Sequence, residues 1–203
     1  MINLKKKFLD SSIELITKNK DYTDEQVEIM AYGLEAIYLT VTKMIVIFSF
    51  SYLFNVFWEM LFLLIAFNII RTQAFGLHAS KSIYCLMSSM TMFVGGAFIC
   101  KYVVLPFWLM LVCAIICNIC LFLYAPADTH KRPLINEKKR KKFKIVSCFW
   151  GIFYTILIIV FRDYSQVSYL LFGMIEAVIV ILPVTYKIFN LPYNNYKAYN
   201  CGV

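Results

Sequence analysis

Histidine is almost missing from this 203-residue chain: it occurs only as His78 and His130, too few and too far apart in sequence for a zinc constellation. Cysteine is present but odd in number, seven, with most of the seven in apolar runs or on the side expected to be reducing, which argues against a disulfide framework. There is no Gly-Xaa-Ser-Xaa-Gly turn and no pair of aspartates within an apolar run, so neither serine-hydrolase nor paired-aspartate intramembrane chemistry has support. A cleavable leader is not evident either. The first thirty residues carry eleven charges and no continuous apolar core, so the N-terminus is expected to be retained.

What is abundant is apolar surface. With 61% hydrophobic residues, 17% aromatics and a mean hydropathy of +0.70, most of the chain cannot face water, and it reads as an integral membrane protein. Apolar runs lie at about 36–56, 57–70, 82–100, 103–125, 145–161 and 166–189, against roughly 17–25 residues needed per span. The expectation is an all-α polytopic fold of about six transmembrane helices. The run 57–70 is short, about 21 Å at 1.5 Å per residue, and can borrow length from Ala74–Leu77. Ahead of the spans, Met1–Thr17 gathers Leu4, Phe8, Leu9, Ile13, Leu15 and Ile16 within about half of a helical wheel, which suits an amphipathic helix in the membrane interface. That helix either anchors the first span or helps recruit an amphipathic peptide. The chain is read as one domain, 1–203: an interfacial N-terminal region at 1–34, a transmembrane bundle at 35–190 and a tail at 191–203.

Loop charges orient this arrangement. If the N-terminus is cytoplasmic, the inner segments 1–34, 71–81, 126–144 and the region after 186 hold seventeen basic residues, and the outer loops hold only Lys101 and Arg162. Cytoplasmic loops accumulate Lys and Arg, so both termini and the segment around His78 are expected inside.

That segment, RTQAFGLHASKSIYC at 71–85, places His78 seven residues before Cys85 at the mouth of a span. A thiol becomes a strong nucleophile when an imidazole holds it as thiolate. The bland alternative is a packed helix cysteine, but Arg71, Gln73, His78, Ser80 and Lys81 cluster just upstream, and Gly76 lets the backbone turn. In one continuous helix residues seven apart are separated by about 10.5 Å along the axis, too far to hydrogen bond. His78 should therefore lie on a loop folded back toward Cys85, with Ser80 or Ser82 as a helix cap. Glu35, at the edge of the first span, is either the carboxylate that orients the imidazole or an ordinary interfacial one. Glu176 falls inside the last run, where an ionisable group usually has a partner, Lys43 being the candidate by chemistry, in a structural pair. Cys113, Cys117 and Cys120 share one helical face and read as packing surface more readily than as metal ligands.

The stretch 124–144, YAPADTHKRPLINEKKRKKFK, contains Pro126 and Pro133, which should stop a helix and keep the loop extended, and a basic run from Lys138 to Lys144. Such a run is a topology signal touching anionic lipid or a docking site for an acidic peptide.

YGLE at 32–35, RTQAFGLHA followed by Cys85, and APADTHKRPL with its basic tail, in this order and spacing, resemble the accessory gene regulator B (AgrB) family of bacterial membrane peptidases that mature quorum-sensing propeptides. The resemblance runs from about residue 30 to 190. It implies that Cys85 and His78 are catalytic, that Glu35 matches the acidic position, and that Arg71 and Gly76 match loop positions needed for activity. Family members often carry Arg-Arg and Gly-Gly where this chain has Arg71-Thr72 and Phe75-Gly76. The implied reaction is a thioester formed at Cys85 and then resolved by a side chain of the substrate, giving a thiolactone or lactone peptide. No cofactor is called for. The implied partners are a short amphipathic propeptide, whose acidic C-terminal tail would be held by Lys138, Lys139, Arg140, Lys141 and Lys142, the lipid bilayer, and a second copy in a homodimer; nucleic acid is not among them. The rival reading is a small membrane transporter or channel component. It is disfavoured because the polar residues cluster at one membrane face and do not line several spans at mid-depth.

Overall fold

The computed structural model describes residues 2–18, 22–77, 82–129 and 133–197. Among them the secondary structure is helical, with an isolated β-bridge between Phe75 and Ala127. Five stretches are long and apolar enough to cross a membrane: Glu25–Leu53, Phe57–Ala74, Ile83–Tyr102, Phe107–Tyr124 and Glu137–Val160. The chain is an all-α membrane protein.

It divides into two compact units, Met1–Phe50 and Ser51–Val203. The first contains α1 (Ile2–Thr17), covering the expected amphipathic segment, and nearly all of α2 (Asp24–Leu53), which the capping pair Thr23 and Gln26 opens. Within this unit Phe8 packs on Tyr38 with 5.3 Å between ring centroids.

The second unit is built around α3 (Phe57–Ala74). It packs chiefly on α8 (Val167–Ile179) and on α7 (Glu137–Val160), while α6 (Phe107–Tyr124) lies against α7 and α8. The remaining span is composite: α4 (Ser82–Ser89), a π-helical stretch Met90–Gly95, and α5 (Gly96–Tyr102). Helix approach is set by small residues, as in membrane bundles. A Cβ on Gly173 of α8 would stand 2.8 Å from the Ala66 Cβ of α3, so only glycine permits this contact. Beside it the Tyr154 hydroxyl donates to the Ala66 carbonyl at 3.0 Å, satisfying a buried phenol. Outward faces remain apolar: Val112, Ile116, Ile119 and Phe122 of α6 are all exposed, as a surface solvated by lipid requires.

Three expectations are revised. The second span reaches Ala74 and is 18 residues long, a full-length helix. The last apolar run, expected as one span over 166–189, is broken. α8 has 13 residues, about 20 Å, and α9 (Pro183–Ile188) follows after a gap, so the sixth span is a short apolar helix and not a sixth full-length one. Pro183 causes the break: it lacks an N–H and forces Leu182 to an extended ψ of 137°. The acceptors released by the break are taken elsewhere. Thr185 Oγ1 donates to the Ile179 carbonyl at 2.5 Å, and the Val180 carbonyl accepts from the Leu77 amide at 2.9 Å.

The third revision concerns the basic run. Lys138–Lys144 are the first two turns of α7 and not an extended loop, because Asn136 caps the helix by accepting from the Lys139 amide at 3.2 Å. Pro126 and Pro133 do lie in non-helical chain. Within this unit Arg71 and the basic turns of α7 share one end of the bundle. Lys101 sits at the other end, paired with Glu59 at 3.0 Å.

Candidate active site

The chain turns where α3 ends. Phe75 has φ 58° and Gly76 φ 105°, a conformation that side-chain-bearing residues rarely adopt. A Cβ on Gly76 would fall 2.4 Å from Nη1 of Arg71 and 2.6 Å from the Val180 carbonyl oxygen, so space and torsion both demand glycine. Backbone bonds hold this short segment on two sides. Gly76 N–H donates to Ala127 O at 2.7 Å, Ala127 N–H to Ala74 O at 2.9 Å, and Leu77 N–H to Val180 O at 2.9 Å. The Phe75 ring packs edge-on against Phe143 of α7 with centroids 4.9 Å apart.

Arg71 closes the turn from within. Its Nη2 donates to the carbonyls of Gly76, at 3.0 Å, and Leu77, at 2.6 Å. The guanidinium lies within electrostatic range of Tyr186 and of Cys85. Nη1 is buried and carries no hydrogen bond among the described residues. Arg71 thus ties the last residues before His78 to the neighbourhood of the cysteine. Cys85 is half-buried and is the fourth residue of α4.

His78 lies outside the described residues, as do Ser80 and Lys81; Ser82 is already helical. Glu35 is half-buried on α2, in the first unit. Lys138, Lys139, Lys141 and Lys142 are exposed and Arg140 is half-buried on the first turns of α7. Glu176 is buried on α8, with Oε2 lacking a hydrogen-bond partner among the described residues and Oε1 only 2.8 Å from where a Gly96 Cβ would stand.

Sequence reasoning missed the group that anchors the turn from below. Asp128 is buried, and its carboxylate accepts from the backbone amides of Asn195 at 2.9 Å and Tyr196 at 2.8 Å, with Leu134 N–H at 3.4 Å. The Tyr186 hydroxyl donates to the Asp128 carbonyl at 3.0 Å, and its ring meets Tyr193 at 5.1 Å. Burial pushes the Tyr193 phenol up to about 12, so it stays neutral at physiological pH. Asp128 therefore fastens the tail to the extended segment whose Ala127 bridges Phe75. The aspartate was visible in APADTHKRPL, but its acceptors' partners are main-chain amides, which leave no mark in a sequence.

The model of the family described as accessory gene regulator B matches residues 10–185. A putative AgrB-like protein of Clostridium acetobutylicum is 35% identical over 183 residues, covering 89% of this chain and 88% of that protein. One from Listeria innocua is 31% identical over 186 residues, 91% of each chain. The accessory gene regulator protein B of Staphylococcus aureus is 29% identical over 157 residues, 76% of this chain and 82% of its own length. No solved structure matches.

Proposed function

The chain belongs to the accessory gene regulator B family, which places it in accessory gene regulator quorum sensing, and from that premise we propose that it is a membrane-embedded cysteine endopeptidase acting on a quorum-sensing propeptide. The observation that carries the reading is Arg71, whose one guanidinium holds the Gly76 and Leu77 carbonyls and acts electrostatically on Cys85. The main chain that leads to residue 78 and the thiol on α4 then lie in the field of one cation. Cys85 also stands in the first turns of a helix, the end at which the backbone dipole favours an anion.

In the proposed reaction His78 takes the thiol proton and the Cys85 thiolate attacks a peptide carbonyl toward the C-terminal side of a short amphipathic propeptide. The C–N bond breaks, the imidazolium protonates the leaving amine, and a thioester remains on Cys85. A cysteine or serine side chain of the substrate next loses its proton to His78 and attacks the thioester. That closes a thiolactone or lactone ring and releases the Cys85 thiolate, which recovers the proton. Ring closure must outrun hydrolysis, which favours a site at the membrane surface with limited water. Glu35 is assigned to orient the imidazole. The acidic tail of the propeptide is drawn to the basic run Lys138–Lys142, of which Lys138, Lys139, Lys141 and Lys142 are exposed. Protein and propeptide both work at the cell membrane, the termini and site facing the cytoplasm, and the enzyme acts as a homodimer.

The deciding experiment is propeptide cleavage in proteoliposomes. Cys85→Ser and His78→Ala should each lower cleavage by about 10²–10⁴-fold with insertion unchanged, and the other six cysteines should be replaceable singly by Ala. Cleavage retained by Cys85→Ala rules the mechanism out.

A further inference from the structure

Between the last turn of α6, the first turns of α7 and the tail lies a cleft of about 390 Å³. Arg140, Lys141 and Lys144 line it, together with Tyr124, Tyr193 and Tyr196. These basic residues are spaced so that they share one face of α7, while Lys138, Lys139 and Lys142 do not line the cleft. The charges are held in different ways. Lys141 is paired with Glu137, another lining residue, at 2.8 Å. The Arg140 guanidinium lies 3.8 Å over the Tyr196 ring centroid with Nη1 donating to the Leu134 carbonyl at 3.3 Å, and Lys144 Nζ sits 4.8 Å from the Phe122 ring centroid. With Glu137 offsetting Lys141, Arg140 and Lys144 leave the cleft cationic, and three phenols border it.

We propose that this cleft binds the phosphodiester headgroup of an anionic phospholipid. Its position favours lipid over other anions. The cleft opens where two membrane helices end, the depth at which headgroups and tyrosines meet. Apolar surface also leads away from it along α6: Phe122, whose ring lies beneath Lys144 Nζ, and Leu123, which lines the cleft, are both exposed. Acyl chains would lie on that surface while the phosphate reaches Arg140 and Lys144. An acidic peptide needs no such apolar bed and finds exposed lysines on the rest of the same turns. This inference does not rest on the peptidase reading, and its test contains no propeptide.

The full-length protein in detergent is mixed with equal amounts of phosphatidylglycerol and phosphatidylcholine, and the lipid retained is identified by native mass spectrometry. Phosphatidylglycerol should be retained in preference. Arg140→Gln with Lys144→Gln should lower that preference about tenfold, while Lys138→Gln with Lys139→Gln, an equal change of charge, should leave it standing. Lys144→Gln alone spares the Arg140–Tyr196 stack and should show a partial loss, which keeps the test decisive if the double variant fails to fold. Equal retention of the two lipids overturns the proposal, as does an equal loss in both double variants. Displacement by inorganic phosphate at the lipid's concentration would make this a free-anion site. Displacement by a synthetic acidic peptide would give the cleft to peptide instead, and either result rejects the lipid assignment.

Discussion

The Leu77 amide donates to the Val180 carbonyl at 2.9 Å, and this bond exists because the last apolar helix stops short of Pro183. A continuous helix would have spent that carbonyl on the amide of Val184. The helix break and the turn before His78 are two sides of one feature. The reader of the sequence sees the proline and the glycine a hundred residues apart, and the fold sets them against each other.

Arg71→Lys keeps the charge near Cys85 but removes the fork that spans two carbonyls. If the fork matters, propeptide kcat/KM should fall about ten- to hundredfold, the equivalent of a lost charged hydrogen bond. Cleavage in proteoliposomes at matched protein levels measures this. A lysine variant as active as the parent would show that charge alone suffices.

Asp128→Ala leaves the amides of Asn195 and Tyr196 without their acceptor. Each buried donor left alone costs about 1–3 kcal/mol. The tail should loosen, and hydrogen exchange followed by mass spectrometry should show faster exchange at 195–196 and, through Ala127, at 76–77. Unchanged exchange in both places would mean that Asp128 does not couple them.

Neutralising Lys138, Lys139 and Lys142 together should raise KM for the propeptide with little change in kcat, and added salt should reduce the difference between variant and parent. Single changes should be nearly silent, since exposed pairs contribute about 0–1 kcal/mol. The orientation of the variant must be verified first, because the same charges set topology. A correctly oriented variant that cuts as well as the parent at every salt concentration leaves the run as a topology signal only.

In a cysteine-free background, a cysteine at Asn136 should resist a membrane-impermeant thiol reagent applied to intact cells, and one at Val104 should react. Labelling at 136 from outside would invert the proposed orientation and move the site to the other face.

Much of the bundle could be read in advance, and the reasons are specific. α6 is an 18-residue helix, apolar but for Asn118, that ends at the Ala125-Pro126 pair as the sequence suggests, while its start at Phe107 is set by Pro106 inside the longer run 103–125. The spacing of His78 and Cys85 demands that they not share one helix; α3 ends at Ala74 and Cys85 stands on a new helix from Ser82, while His78 itself lies outside the described residues. The end of the last span was misjudged because hydropathy continues through Leu182-Pro183 even where hydrogen bonding stops. The basic turns were mistaken for a loop because their charge obscured the cap that Asn136 provides. Asp128 was overlooked for another reason: amid lysines a carboxylate looks solvated, and only three-dimensional structure reveals the backbone amides it holds.

The clamp at Asp128 has a mechanical consequence. Residues 195 and 196 are gripped by the same side chain whose backbone neighbour, Ala127, pairs with the turn at Gly76. The tail at 195–196 is thus a lever on the turn at Gly76, and a binding protein, antibody or fused domain that pulls there would tug that turn without touching a transmembrane helix.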